Sequence, residues 1–214
     1  MDKRFLAVVG AIIIIFVGFL LVRGNDKAEA PETSAKPSNH TRGEGASGVT
    51  LVEYGDFQCP ACKQYYPMVE ELVSKYSEDI TFQFRNFPLT SIHPNAFAAS
   101  RAAEAAGKQG KFWEMYDKLY GGQNDWANAS PPNKIFETYA KQLQLNIEQY
   151  KNDFKSTLVN DTINADLAEG SKLDITGTPG FVLDGKRIDN PNSLEAFSKL
   201  IDDAIAKKKQ NKKD

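Results

Sequence analysis

Both cysteines of this 214-residue chain stand three positions apart, with two residues between them, in Phe57-Gln58-Cys59-Pro60-Ala61-Cys62-Lys63, where a strand-like run gives way to a helix-like one. Val49 to Tyr54 leads in, Gly55-Asp56 marks a turn, and Pro60 to Tyr76 leads out as a helix in which Pro67 predicts a bend. Two thiols at this spacing close a small disulfide, and a helix N-terminus stabilises the first as thiolate. The pair therefore admits a redox centre, a structural staple or a metal site. A four-residue loop removes too little chain entropy to stabilise much. A zinc site lacks ligands, because His40 lies in a linker-like stretch and only His93 remains. Copper(I) held by two thiolates fits the softness of sulfur and stays open as an alternative.

The downstream pattern places the pair in an α/β fold. Ile80 to Arg85 alternates, with Ile80, Phe82 and Phe84 on one side, so two strands and the intervening helix form a βαβ unit expected to be parallel and right-handed. From about 94 to 173 the spacing is helical: 96–106, 111–120, 133–144, 147–154 and 157–173, with a loop at 121–132 holding Trp126. Strand signals return at 180–183 and 186–188 around Asp184-Gly185, a hairpin turn, and 193–207 reads as a terminal helix.

Upstream, Phe5 to Val22 carries no charge and is long enough to span most of a bilayer, so 1–23 reads as an uncleaved signal anchor. Ala28-Glu29-Ala30 leaves open a cleaved, secreted form. In either case Lys3 and Arg4 stay inside and the rest is exported. Residues 24–48 nearly lack aliphatics and read as a disordered linker ahead of one domain at 49–207, with a basic tail at 208–214. A net charge of -2 at 25% charged residues offers no case for nucleic acid as a partner.

The C-x-x-C after the first strand, Thr178-Pro179 before the hairpin and the helical stretch between them resemble the thioredoxin fold with an inserted helical subdomain. Phe57-Gln-Cys-Pro-Ala-Cys62, Ser91-Ile-His-Pro-Asn-Ala-Phe97 and Gln109-Gly-Lys-Phe-Trp-Glu-Met115 resemble the DsbA-like family of extracytoplasmic thiol:disulfide oxidoreductases, in its membrane-tethered bacterial form. That resemblance implies that Cys59 is the nucleophile, Cys62 the buried resolving thiol and Thr178-Pro179 a cis-proline loop facing them. It also implies that Glu53 is a buried acid that relays a proton with Cys62; Arg85, on the neighbouring strand, is its expected ion partner, where the family often has lysine. A surface strand glutamate is the bland alternative for Glu53.

The strongly oxidising family member has histidine where Ala61 stands. Without that group, the Cys59 pKa is expected below the free value of about 8.5 but above the about 3.5 of DsbA. The implied activity is oxidation of thiols in exported, partly folded proteins. No cofactor is needed beyond the Cys59-Cys62 disulfide, and a membrane redox partner reoxidises the pair. A reductase or isomerase on the same fold, and a non-catalytic chaperone or binding module, are the competing readings. Phe57, Phe87, Phe97, Trp113, Trp126 and Phe181 are candidates for an apolar substrate groove or for core, and His93 for a turn or cap residue.

Overall fold

A computed structural model describes residues 35–211. The sequence-predicted anchor at 5–22 lies outside them, and among the described residues no helix is long and apolar enough to cross a membrane. The strands β1 (His40–Arg42), β2 (Val49–Gly55), β3 (Ile80–Asn86), β4 (Gly180–Leu183) and β5 (Lys186–Ile188) form one sheet in the order β1-β3-β2-β4-β5. β2 and β3 are parallel, joined through α1 (Pro60–Lys75), and the other pairs are antiparallel. The β4–β5 turn has positive φ at both Asp184 and Gly185, as a tight two-residue hairpin requires.

Between β3 and β4 lie α2 (Ala96–Gly107), α3 (Phe112–Gly121), α4 (Gln123–Trp126), α5 (Asn133–Gln142), α6 (Ile147–Phe154) and α7 (Thr157–Lys172); α8 (Leu194–Asn211) ends the fold. Asn146 and Ser156 cap α6 and α7 by accepting from the Gln149 and Val159 amides. This is the expected thioredoxin-fold α/β architecture with a helical insertion.

Strand alternation sorts the core. Val49, Leu51, Ile80 and Phe82 point to the face covered by Val69 and Leu72 of α1 and Phe197 and Ile201 of α8. Tyr54 and Val182 point to the other face, against Phe87 and Ile175. A third cluster, from Phe57, Cys59, Cys62 and Phe84 into Ala102, Met115, Tyr116 and Trp126, ties the insertion to the cysteine motif. α1 runs through Pro67 as one element. An interior proline costs about 3 kcal/mol. Burial of Val69, Leu72 and Val73 more than offsets it at roughly 1.5–3 kcal/mol for each fully buried side chain.

Four expectations need correction. The linker assigned to 24–48 contains β1, whose His40 and Arg42 pair with Phe84 and Phe82. Its lead-in is also fixed, because Ser38 donates from both N and Oγ to the buried Asp166 carboxylate at 2.8 Å. The loop at 121–132 holds α4, stabilised by burial of Trp126, whose Nε1 donates to the Leu119 carbonyl at 2.9 Å. The terminal helix continues to Asn211, its lysines favoured by the helix C-terminus. Arg85 does not meet Glu53: it points to the opposite face of the sheet and pairs with Asp166 and Glu169 of α7 at 3.5 and 3.1 Å.

Candidate active site

Cys59 is the N-cap of α1, in extended conformation with Pro60 at the first helical turn, where a missing N–H costs nothing. Both cysteines are buried free thiols in this structure, Cys62 with zero exposure. Cys59 is acidified to about 5, chiefly by the hydrogen bond from the Cys62 side chain. Burial opposes this, while Thr178 and the otherwise unused amides of Cys62 and Ala61 reinforce it. Cys62 moves the other way: burial, then donation of its proton to Cys59 and the nearby Glu53, hold it well above a normal thiol. One pair of neighbouring sulfurs is thus split into a stabilised thiolate and a retained thiol.

Glu53 lies on β2 with Leu51, on the face beneath α1, and is 1% exposed. Its Oε2 has no partner among the described residues, and burial, with Glu70 next, raises its pKa to about 8. Arg42 acts against that rise. The surface alternative for this residue therefore does not hold: the carboxyl keeps its proton at neutral pH and lies close enough to influence both thiols.

The Thr178–Pro179 peptide is cis, and the Thr178 carbonyl lies 3.4 Å from Cys59 Sγ. The buried Thr178 hydroxyl has no partner among the described residues apart from the Cys59 sulfur whose ionised form it favours, and Asn190 donates to the Pro179 carbonyl at 2.7 Å. The fold therefore brings Cys59, Cys62, Thr178 and Pro179 together, with Glu53 beneath them.

Residues that sequence reasoning passed over brace the motif. The buried Asp56 carboxylate accepts from the Gln58 and Leu89 amides at 2.7 and 2.9 Å and bonds His93 Nδ1 at 2.7 Å. Gln58 bonds the Asn95 amide and the Ala127 carbonyl, and Gln123 donates to the Phe57 and Cys59 carbonyls at 2.7 and 3.1 Å. His93 therefore locks a turn. The signal for this brace is modest: Gly55-Asp56 marks the turn, but nothing local pairs it with a histidine far along the chain.

Of the six aromatic candidates, Phe57, Trp126 and Phe181 have zero exposure and Phe87 is 5% exposed, so these four are core. Phe97 and Trp113 are half-buried. The groove beside the motif, about 810 Å³, is instead of mixed character, lined by polar residues such as Gln64, Asn95 and Asn128 and by apolar ones such as Pro60, Ile92 and Pro94.

The sequence profile of the thioredoxin family matches residues 35–203. The Na(+)/H(+) antiporter NhaA 1 of Salinispora arenicola is 36% identical over 168 residues, covering 78% of this chain and 25% of that protein. The chain thus spans about a quarter of the length of that curated relative, whose name belongs to a much longer polypeptide. A thioredoxin-like oxidoreductase from Silicibacter pomeroyi superposes with a TM-score of 0.67 at 25% identity, over 82% of this chain and 98% of that one. The α-DsbA1 of Wolbachia pipientis superposes with a TM-score of 0.70 at 19% identity, over 82% and 94%, a likeness of fold. The chain belongs to the thioredoxin family, in the DsbA-like form of the fold that carries a helical insertion.

Proposed function

We propose that this chain is an extracytoplasmic thiol:disulfide oxidoreductase that introduces disulfides into exported proteins through Cys59 and Cys62. The observation that carries this reading is the stabilised Cys59 thiolate beside a retained Cys62 thiol. A favourable thiolate stabilises the dithiol form, which makes the disulfide the stronger oxidant. In turnover a substrate thiolate attacks Cys59 Sγ, the Cys59–Cys62 bond breaks, and Cys62 leaves with the electron pair and gains a proton. A second substrate thiolate then attacks the substrate sulfur of the mixed disulfide and releases the Cys59 thiolate. Glu53 is the proton donor to Cys62 in this scheme, and a membrane redox partner reoxidises the dithiol.

Thr178 and Pro179 present a loop edge for extended substrate backbone, in strand-addition fashion. Residues 5–22 anchor the domain at the membrane with its catalytic part outside.

Equilibration with glutathione tests the direction. The Cys59 pKa of about 5 lies between the values of thioredoxin and DsbA, about 7 and 3.5. The potential is therefore expected between their roughly -270 and -120 mV. Mixed disulfides with exported proteins should accumulate on Cys59 in a Cys62→Ala variant. A potential at or below that of thioredoxin, together with a mainly reduced pair in the cell, would make the chain a reductase instead.

A further inference from the structure

The segment read from sequence as linker carries Arg42, the one cation among the described residues whose charge acts on the buried acid. Arg42 of β1 donates from Nη1 to Glu70 Oε2 at 3.0 Å and from Nη2 to Glu70 Oε1, a two-pronged pair between β1 and α1. Its guanidinium carbon lies 3.9 Å from the Trp113 ring centroid, 5.5 Å from that of Tyr116 and 5.8 Å from that of Phe82. A forked ion pair and an aromatic stack together fix the position of the charge. The two side chains are 23% and 30% exposed, so the pair stands between core and solvent.

Register carries this charge towards Glu53. Arg42 is opposite Phe82, Phe82 is opposite Leu51, and Glu53 is one row further along the same face, opposite Phe84. Tyr116 packs edge-on against Phe84 with centroids 5.2 Å apart, and Tyr120 lies 4.9 Å from Tyr116. Glu53 Oε2, Tyr116 Oη, Tyr120 Oη and Arg42 Nε are all buried without a partner among the described residues. Each such group costs ~1–3 kcal/mol, so four in one region of the core call for an explanation beyond packing.

Among the described residues, the titratable groups on the side of Glu53 are Arg42 from β1, Glu70, Cys59 and Cys62 from α1 and its cap, Tyr116 and Tyr120 from α3, and His40 of β1, which shares the Glu53 row across Phe84 and is tied to Glu104 at 2.9 Å. Its strand neighbours Phe84 and Phe181 are apolar.

We propose that Arg42 and Glu70 form a positioning pair for thiol–disulfide exchange, setting from β1 and α1 whether Glu53 holds the proton that Cys62 needs. The role rests on the function proposed above. When a substrate thiolate attacks Cys59, the departing Cys62 sulfur takes the Glu53 proton and leaves a carboxylate. On reoxidation Cys62 attacks the sulfur of Cys59 in a mixed disulfide with the partner, its proton returns to Glu53, and the partner's thiolate leaves. Arg42 favours the carboxylate and Glu70 the neutral acid, so the pair holds Glu53 able to do both.

Opposite signs make the proposal testable. In the reduced full chain, carboxyl-carbon NMR follows the Glu53 titration. Arg42→Gln should raise its midpoint and Glu70→Gln should lower it, each by at least ~0.5 pH unit, or about threefold in the ionisation equilibrium. Arg42→Lys, which keeps the charge, should return the midpoint towards wild type. The pH profile of disulfide exchange should move in the same two directions.

A role in packing alone would lower stability in both variants without moving the midpoints apart. Shifts of the same sign, or none, overturn the proposal. If Arg42→Gln fails to fold, Glu70→Gln still decides by the sign of its shift. Opposite NMR shifts with an unmoved exchange profile overturn the positioning role and leave the activity standing. An inactive wild-type chain overturns the activity itself, which separates the two failures.

Discussion

At the scale of single residues, the fold keeps the Glu53 carboxyl and the Cys62 thiol protonated by burial and ionises Cys59 by the hydrogen bonds it accepts at the start of α1. Burial acts strongly on Glu53. Its folded pKa of about 8 lies above the ordinary 4.5, so its stabilising state is the neutral one. That contribution is fully present below about pH 4.5 and is lost as pH rises through about 8, because the unfolded chain ionises and the folded one resists. Glu53→Gln removes the loss. The variant should gain on the order of 2–4 kcal/mol over wild type at pH 8, with a much smaller difference at pH 4.5. Urea unfolding at the two pH values measures it, and an equal difference at both would contradict the burial account.

Cys59 and Cys62 were legible from the sequence because their chemistry is carried by residue type and spacing, whereas Thr178-Pro179 was legible only through the resemblance to the thioredoxin fold. Glu53 was legible because strand alternation places it with Leu51. Its true cation was not: Arg85 is nearer in the βαβ unit, yet its parity on β3 turns it to the other face, towards Asp166 and Glu169.

At the scale of elements, β1 shows what local pattern cannot reveal. His40–Arg42 has no alternation of its own and is flanked by glycine and polar residues, so nothing in its composition marks a strand. It is ordered from outside. Asp166 of α7 accepts from Ser38 and from the Asn86 backbone and side chain, and Glu104 of α2 accepts from His40 and the Asn86 side chain. The His40 ring stacks on Phe112 with centroids 3.5 Å apart.

Removing the acceptor leaves several buried donors without a partner, whereas removing the Ser38 hydroxyl loses one bond. Asp166→Ala should therefore cost about 3 kcal/mol or more and Ser38→Ala about 1 kcal/mol. Chemical denaturation ranks the two. Hydrogen exchange at residues 40–42 should rise in Asp166→Ala well before the β2 amides are affected, and equal exchange in both strands would mean that β1 is held by other contacts.

At the scale of the whole molecule, the sheet supplies the face that buries Glu53, α1 supplies the helix N-terminus, and the loop before β4 closes over Cys59. The helical insertion adds α3 and α4, whose Tyr116, Tyr120 and Gln123 reach the motif from the far side. Apart from β1 and α4, the element order and the insertion followed from periodicity, because long helices and a tight Asp-Gly hairpin leave strong local signals. The Asp56–His93 brace and the Arg42–Glu70 pair did not, because each joins residues that only the tertiary fold makes neighbours.

All of these parts bear on one quantity, the acidity of Cys59. Thiolate ultraviolet absorbance of the reduced protein, followed against pH, measures it directly. The account predicts a transition near pH 5 that disappears in Cys59→Ser. Cys62 should stay protonated well above pH 9. A first transition at the free-cysteine value of about 8.5, with no thiolate at neutral pH, would contradict it.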